Sequence, residues 1–369
     1  MMQLVLFASG SLFLLLGHFI AWIAIVKFFA LSAFNVKLIL AIVLSLLFIS
    51  ILLSAVLVHK WDNVFTRLYY LSAMFWLGTL LNLGLMLLAV VILKFLLPLV
   101  GLHLSVNFCK GFIILGTLSL SFWGVYNGLN FKVKEYEVKI KDLPTAWHNQ
   151  AIVHISDVHL GPIYRQKTFA RIINKINSLE PAAVFITGDL FDGMKSDFSW
   201  LTPDFIKFKT SKGVFYSYGN HDLYLGFNRI NDLLKDHNIN ILDNKLKVVD
   251  GLQIIGINYS FNHDFNLHQE ILNQSGYNEA KASLLLFHEP KNIDLAVKAG
   301  IDLQLSGHTH RGQLFPLGLI VNLFYKGYGY GLFQVGSFSL VVNNGLGTWG
   351  PPMRTSGNSE IVKIILKPL

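Results

Sequence analysis

Residues 151–161 read AIVHISDVHLG. From Ala151 to Ile155 the chain is rich in β-branched side chains, and it then breaks into Ser156, Asp157, Val158, His159 and, after Leu160, a glycine. A short apolar run that ends in polar side chains reads as a strand buried on both faces, with chemistry at its carboxyl end. The pattern recurs in AAVFITGDLF (182–191), GVFYSYGNHD (213–222), LQIIGIN (252–258), SLLLFHEP (283–290) and DLQLSGHTHRG (302–312). Between the first two runs, KTFARIINKINSLE (167–180) sets Phe169, Ile172, Ile173, Ile176 and Leu179 at helical spacing. That predicts a β-α-β crossover and an α/β sheet with helices outside it. Ligands of such sheets bind beyond the carboxyl ends of the strands, where these polar clusters fall.

Upstream the chain obeys another rule. KVKEYEVKI (132–140) alternates like a half-buried strand and LPTAW (143–147) closes it with a turn. Residues 1–130 hold only Lys27, Lys37, Lys60, Asp62, Arg67, Lys94 and Lys110 as charged side chains. The whole chain is 53% hydrophobic and 14% charged, against about 25% charged in a soluble domain. Spans of about 20 apolar residues cross a bilayer, and residues 3–30, 38–58, 69–100 and 111–128 meet that test. Residues 1–130 are therefore expected to form an all-α anchor of four transmembrane helices. The first span has neither a basic leader nor a small-residue cleavage site, so it reads as retained. Within the spans His18, Ser45, Ser54 and Asn82 are candidates for a polar path or, more blandly, for bonds to neighbouring helices. The single cysteine, Cys109, reads as a membrane hydrophobe.

Four crossings leave both ends of the chain on one side. Lys60, Arg67, Lys132, Lys134, Lys139 and Lys141 fall there, against Lys27, Lys37, Lys94 and Lys110 opposite. The excess favours a cytoplasmic carboxyl-terminal domain. The formal charge of +8 comes largely from lysines flanking the spans. No basic run interleaves with aromatics, which argues against a nucleic-acid partner.

The clusters, in order, are Asp157 and His159; Gly188-Asp189; Gly219-Asn220-His221-Asp222; His288; and Gly307-His308-Thr309-His310. Residues two apart at a strand end project to one side, so Asp157 with His159, and His308 with His310, can each grip one ion. Two divalent ions about 3.5–4 Å apart share a ligand, and Asp189 is the natural bridge. The mixed nitrogen and oxygen donors suit manganese first, then iron or zinc, better than magnesium. Taken singly each motif is weak, and a lone histidine such as His154 or His237 is ordinarily structural.

In that order D-x-H, G-D, G-N-H-D, H and G-H-x-H resemble the calcineurin-like metallophosphoesterases over residues 145–369. The resemblance implies a four-layer α-β-β-α sandwich of two mixed sheets, and hydrolysis of a phosphoester by metal-activated water. It implies one metal held by Asp157, His159, Asp189 and His310, and a second held by Asp189, Asn220, His288 and His308. His221 matches the histidine that meets the phosphate and protonates the leaving oxygen, with Asp222 beside it to orient it. SDVHLGPIYR (156–165), GHTHRGQ (307–313) and GTWGPPMR (347–354) further resemble the membrane-associated bacterial branch described as YkuE- or YaeI-like. A hydrolase of UDP-2,3-diacylglucosamine resembles that branch, which suggests a lipid-linked phosphate substrate met at the bilayer.

Arg165 and Arg311 lie just past ligand clusters and read either as phosphate contacts or as surface arginines. LFPLGLIVNLFYKGYGYGLF (314–333) is apolar and too broken by Gly and Pro to span. It reads either as a membrane-facing lip that admits acyl chains or as a buried hairpin. Two other functions remain open: an anchored phosphodiesterase for a soluble nucleotide or other phosphoester, and a non-catalytic membrane scaffold.

Overall fold

A computed structural model describes residues 2–192, 198, 200–201, 207–260 and 265–369. The chain divides into two units, one of residues 1–126 with 350–353 and the other of residues 127–349 with 354–369.

The first unit holds four long helices, α1 (Met2–Phe28), α2 (Phe34–Lys60), α3 (Val64–Leu96) and α4 (Val106–Leu129). All four are long and apolar enough to cross a membrane, which is the anchor read from composition. Their apolar side chains point outward: Phe13, Ile20, Ile39, Leu46 and Leu88 are exposed. Some of their polar groups point inward and pair with neighbouring helices, as lipid favours, whereas Ser45 is exposed. His18 accepts from the Trp76 indole N–H at 3.1 Å while its Nδ1 meets the Leu14 carbonyl at 2.8 Å. Asn82 donates to Ser121 Oγ at 3.1 Å. His18 and Asn82 are thus helix-to-helix contacts, the blander of the two expectations. Asn63 caps α3, accepting from the N–H groups of Phe65 and Thr66.

The second unit is built on two six-stranded sheets. In chain order its elements are β1 (Lys132–Ile140), β2 (Ala151–Ile155), α5 (Gln166–Asn177), β3 (Ala183–Thr187), β4 (Gly213–Ser217), α6 (Asn220–Leu225), α7 (Phe227–Leu234), β5 (Ile239–Ile241), β6 (Lys245–Val249), β7 (Leu252–Ile257), α8 (Phe265–Gln274), β8 (Ser283–Phe287), α9 (Ile293–Lys298), β9 (Leu303–Ser306), α10 (Leu317–Phe324), β10 (Gly331–Val335), β11 (Phe338–Val342) and β12 (Glu360–Pro368). One sheet runs β1-β12-β2-β3-β4-β5 and the other β10-β11-β9-β8-β7-β6. Both are mixed: β2 to β5 and β7, β8, β9, β11 are parallel, while β12 against β2, β6 against β7 and β10 against β11 are antiparallel.

The period-two alternation of the strands makes the layers. Ile152, Ala183, Phe185 and Phe215 face Ile254, Leu284, Leu286 and Leu305 across the gap between the sheets. The alternate residues Val153, Ile155, Val184 and Ile186 face outward onto Phe169, Ile172, Ile173 and Ile176 of α5. On the far side Leu285 and Phe287 pack against Ile271, Leu272, Leu295 and Ala296 of α8 and α9. This is the four-layer α-β-β-α sandwich.

Two expectations need correction. The family resemblance begins at residue 145, but the second unit starts earlier, because β1 pairs in parallel with β12 along its whole length, Lys132 opposite Glu360 through Ile140 opposite Pro368. Alternation alone showed that β1 is a strand and could not show that its partner lay at the other end of the chain. The apolar stretch after His310 is no buried hairpin over its first half, because Leu317–Phe324 is a helix with no buried residue.

Candidate metal centre

The cluster forms where the strands of both sheets end. Asp157 and His159 follow β2, Asp189 follows β3, Asn220 and His221 open α6 after β4, His288 follows β8, and His308 and His310 follow β9. Each strand ends by turning sharply. Asp157, His159, Asp189, His308 and His310 all have φ between 47° and 67°, a region costly for residues with a Cβ and concentrated at functional sites. Backbone bonds hold these turns together: Asp157 N–H donates to Gly188 O at 3.2 Å and His159 N–H to Asp189 O at 3.1 Å. Two glycines permit the approach. A Cβ on Gly188, at φ 80°, would lie 2.5 Å from Gly219 N and 2.8 Å from His288 Nδ1, and one on Gly307 would collide with Ser156 and Asp157.

All seven expected ligands converge, in two sets. In the first, His159 Nε2 and His310 Nε2 lie 3.2 Å apart, and Asp157 Oδ1 is 3.3 Å from His310 Nε2 and 4.0 Å from His159 Nε2. In the second, Asn220 Oδ1 is 3.0 Å from His288 Nε2 and 2.8 Å from His308 Nδ1, and those two nitrogens are 3.1 Å apart. Asp189 stands between the sets, its Oδ2 3.2 Å from His288 Nε2, and it groups both with His159 and His221 and with His288 and His308.

These residues fit a divalent cation on chemical grounds. Asp157 Oδ1 is buried and accepts no hydrogen bond, although it points at imidazole nitrogens. Ring nitrogens facing one another within 3.2 Å need a cation or a proton between them. His288 Nδ1 donates to the Thr187 carbonyl at 2.7 Å, which leaves its Nε2 lone pair aimed into the cluster. Burial works against the His288 cation, but Asp189 outweighs it and pushes the imidazolium up to about 10. A field that binds a proton so firmly also attracts a divalent ion. Burial holds His308 down to about 4, with His288 adding to it, and lowers His159 and His310 as well, so these present neutral nitrogens.

His221 is held on both sides. Its backbone N–H donates to Asp189 Oδ1 at 2.8 Å and its Nδ1 donates to Asp192 Oδ1 at 3.0 Å. Burial opposes its charge, yet Asp189, then Asp192, raise it to about 9. Its ring sits between those of Tyr224 and Trp349, at 5.6 and 6.4 Å.

Asp222 was expected to orient His221, and here the structure differs. Its Oδ2 accepts the N–H of Asp189 at 2.9 Å and of Gly219 at 2.7 Å, bracing two ligand loops. Asp222 lies in the first turn of α6, and it is Asp192, three residues past Asp189, that hydrogen-bonds the imidazole. Neither expected arginine is the one that meets a donor. Arg165 stacks over Trp200 at 5.6 Å and Arg311 over Tyr330 at 4.5 Å. Buried Arg354 instead places Nη2 at 3.0 Å from His310 Nδ1, and also donates to Asn344 Oδ1 and the Gly347 carbonyl. Nothing local in GPPMR announces that.

The calcineurin-like phosphoesterase family model matches residues 151–312, the span from β2 through the last two histidines. An uncharacterised metallophosphoesterase of Campylobacter jejuni is 36% identical over 259 residues, covering 69% of this chain and 69% of that protein. The chain belongs to the calcineurin-like metallophosphoesterases. It is also similar to a transmembrane protein with metallophosphoesterase domain from Danio rerio, 31% identical over 68% of this chain and 61% of that one. The metallophosphoesterase YkuE of Bacillus subtilis is 29% identical over 63% of this chain and 84% of its own length. A metallophosphoesterase with four apolar helices before it is a metal-dependent phosphoester hydrolase anchored in a membrane.

Proposed function

We propose that this metallophosphoesterase uses two divalent ions, manganese first among them, to hydrolyse a phosphodiester or pyrophosphate bond of a lipid or lipid-linked nucleotide sugar. The observation that carries the two-ion reading is the pair of donor sets meeting at Asp189, one of Asp157, His159 and His310 and one of Asn220, His288 and His308. Ions bound there would supply a nucleophilic water at neutral pH and neutralise phosphoryl oxygens.

The chain's own groups do the rest. Asp189 is pinned by the His221 N–H and by its loop, whose N–H is held by Asp222. His221, with Nδ1 given to Asp192, turns Nε2 and its proton toward the leaving oxygen. Arg354 packs against His310, its Nη2 3.0 Å from Nδ1 and its Nη1 donating to the His310 carbonyl. Tyr224 and Trp349 flank His221 and offer apolar walls to the leaving group. The lipid-linked class is supported by the membrane anchor and the exposed apolar helix seven residues after His310. The lysine and arginine distribution supports a cytoplasmic active site.

The test is hydrolysis by the detergent-purified chain with added manganese, offered UDP-2,3-diacylglucosamine beside a soluble aryl phosphodiester. Cleavage of the lipid nucleotide supports the substrate reading. Cleavage of the aryl ester alone removes that substrate and favours a soluble phosphoester, and no cleavage of either, with metal bound, would favour the scaffold.

A further inference from the structure

Helix α10 is inverted for a soluble unit. Leu319, Ile320, Leu323 and Phe324 are 64–81% exposed and share one face, flanked by the exposed Phe315 and Leu317. The side turned to the protein carries the small and polar residues instead. Gly318 comes close enough to the Arg311 carbonyl that a Cβ there would lie 2.7 Å from it. Behind the helix is a pocket of about 370 Å³ lined by Arg311, Asn322, Tyr330 and Ser356 as well as by apolar groups. No acid or base lies on the helix, yet cations rim it: Lys326 follows it, Lys291 Nζ sits 5.4 Å over the Phe324 ring while paired with Glu289, and Arg311 lines the pocket. An apolar face with a cationic rim is the pattern of a helix lying in a lipid headgroup layer. The second unit is joined to the membrane-spanning segment through Asn130 and Phe131, the two residues between α4 and β1.

We propose that α10 is an interfacial helix whose Leu319, Ile320, Leu323 and Phe324 lodge in the phosphate-bearing surface of the bilayer that holds the anchor. The helix follows the last ligand motif directly, so this contact sets the lip of the metal centre against lipid. It stands whether or not the natural substrate is a lipid, because the position of the helix is measured without turnover.

The full chain, with Cys109→Ser and single cysteines at 320, 322, 323 or 326, is spin-labelled in nanodiscs containing phosphatidylglycerol. Labels at 320 and 323 are expected to meet dissolved oxygen more than a water-soluble nickel chelate, and labels at 322 and 326 the reverse. Ready access of nickel at 320 and 323 overturns the proposal. So does exclusion of both reagents there, which would mean that protein covers the helix. In a second arm Leu319→Ser with Ile320→Ser and Leu323→Ser should leave turnover of a soluble aryl phosphodiester within about twofold and the oxygen preference lost. If the triple variant keeps the lipid depth of a label at Phe324→Cys, the face named here is not the one that holds the helix.

Discussion

The two donor sets meet at one carboxylate but are built differently. Asp157, His159 and His310 form the deeper set: their side chains are 0%, 1% and 13% exposed, and His310 is backed by a buried arginine that has no carboxylate partner among the described residues. Asn220, His288 and His308 include a neutral amide; His288 is fully buried, but His308 is 25% exposed beside the rings of Tyr259 and Tyr325. The first set is the more buried, and the second reaches the surface at His308. The contrast teaches that a symmetric-looking motif list can encode a centre whose two halves differ in burial.

Substitutions can break this contrast in a graded way. Asp189→Ala removes the only donor common to both sets, and several kcal/mol of lost charge stabilisation should lower turnover of an aryl phosphodiester by about 10³-fold or more. His221→Ala should cost about 10²- to 10⁴-fold while metal content stays as in the parent; loss of metal with it would move His221 from proton donor to ligand. Asp192→Asn keeps the hydrogen-bond geometry but removes charge from His221 and is expected to cost about tenfold, less than His221→Ala, because the ring stays in place. A larger loss than that of His221→Ala would assign Asp192 a role of its own.

The smallest effect at neutral pH concerns the strand that feeds the deep set. His154 on β2 is fully buried, bonded to Thr187 Oγ1 at 2.8 Å, and burial holds it down to about 3. The unfolded chain takes up a proton near its ordinary value of about 6.5, whereas the folded chain refuses it. Stability from this residue is therefore complete above about pH 6.5 and is lost as pH falls toward 3, by up to about 1.4 kcal/mol per pH unit. His154→Phe should flatten the acid limb of a thermal-melting profile and leave activity at pH 7 nearly unchanged. An unchanged acid limb would show that His154 is hydrated and protonated in the folded chain.

Much of this was legible in the sequence because two local rules suffice. Short apolar runs marked the buried strands, helical spacing marked the face of α5 that carries Phe169, and ligands two apart at strand ends announced Asp157 with His159 and His308 with His310. Contacts across long separations were not legible. The partnership of β1 with β12, the hold of Asp192 on His221 and the approach of Arg354 to His310 each depend on tertiary placement that no local pattern carries. The left-handed turns at the ligands were equally hidden, because their strain is sustained by the surrounding loops.

Asp189 groups with both donor sets, and the proposed two-ion centre depends on it. The direct measurement is metal content by mass spectrometry of the detergent-purified chain after manganese loading and gel filtration, for the parent, Asn220→Ala and Asp189→Ala. The account predicts two equivalents in the parent, about one in Asn220→Ala with the deep set still filled, and a loss from both sites in Asp189→Ala. A parent that holds a single equivalent, or an Asp189→Ala chain that keeps two, would contradict it.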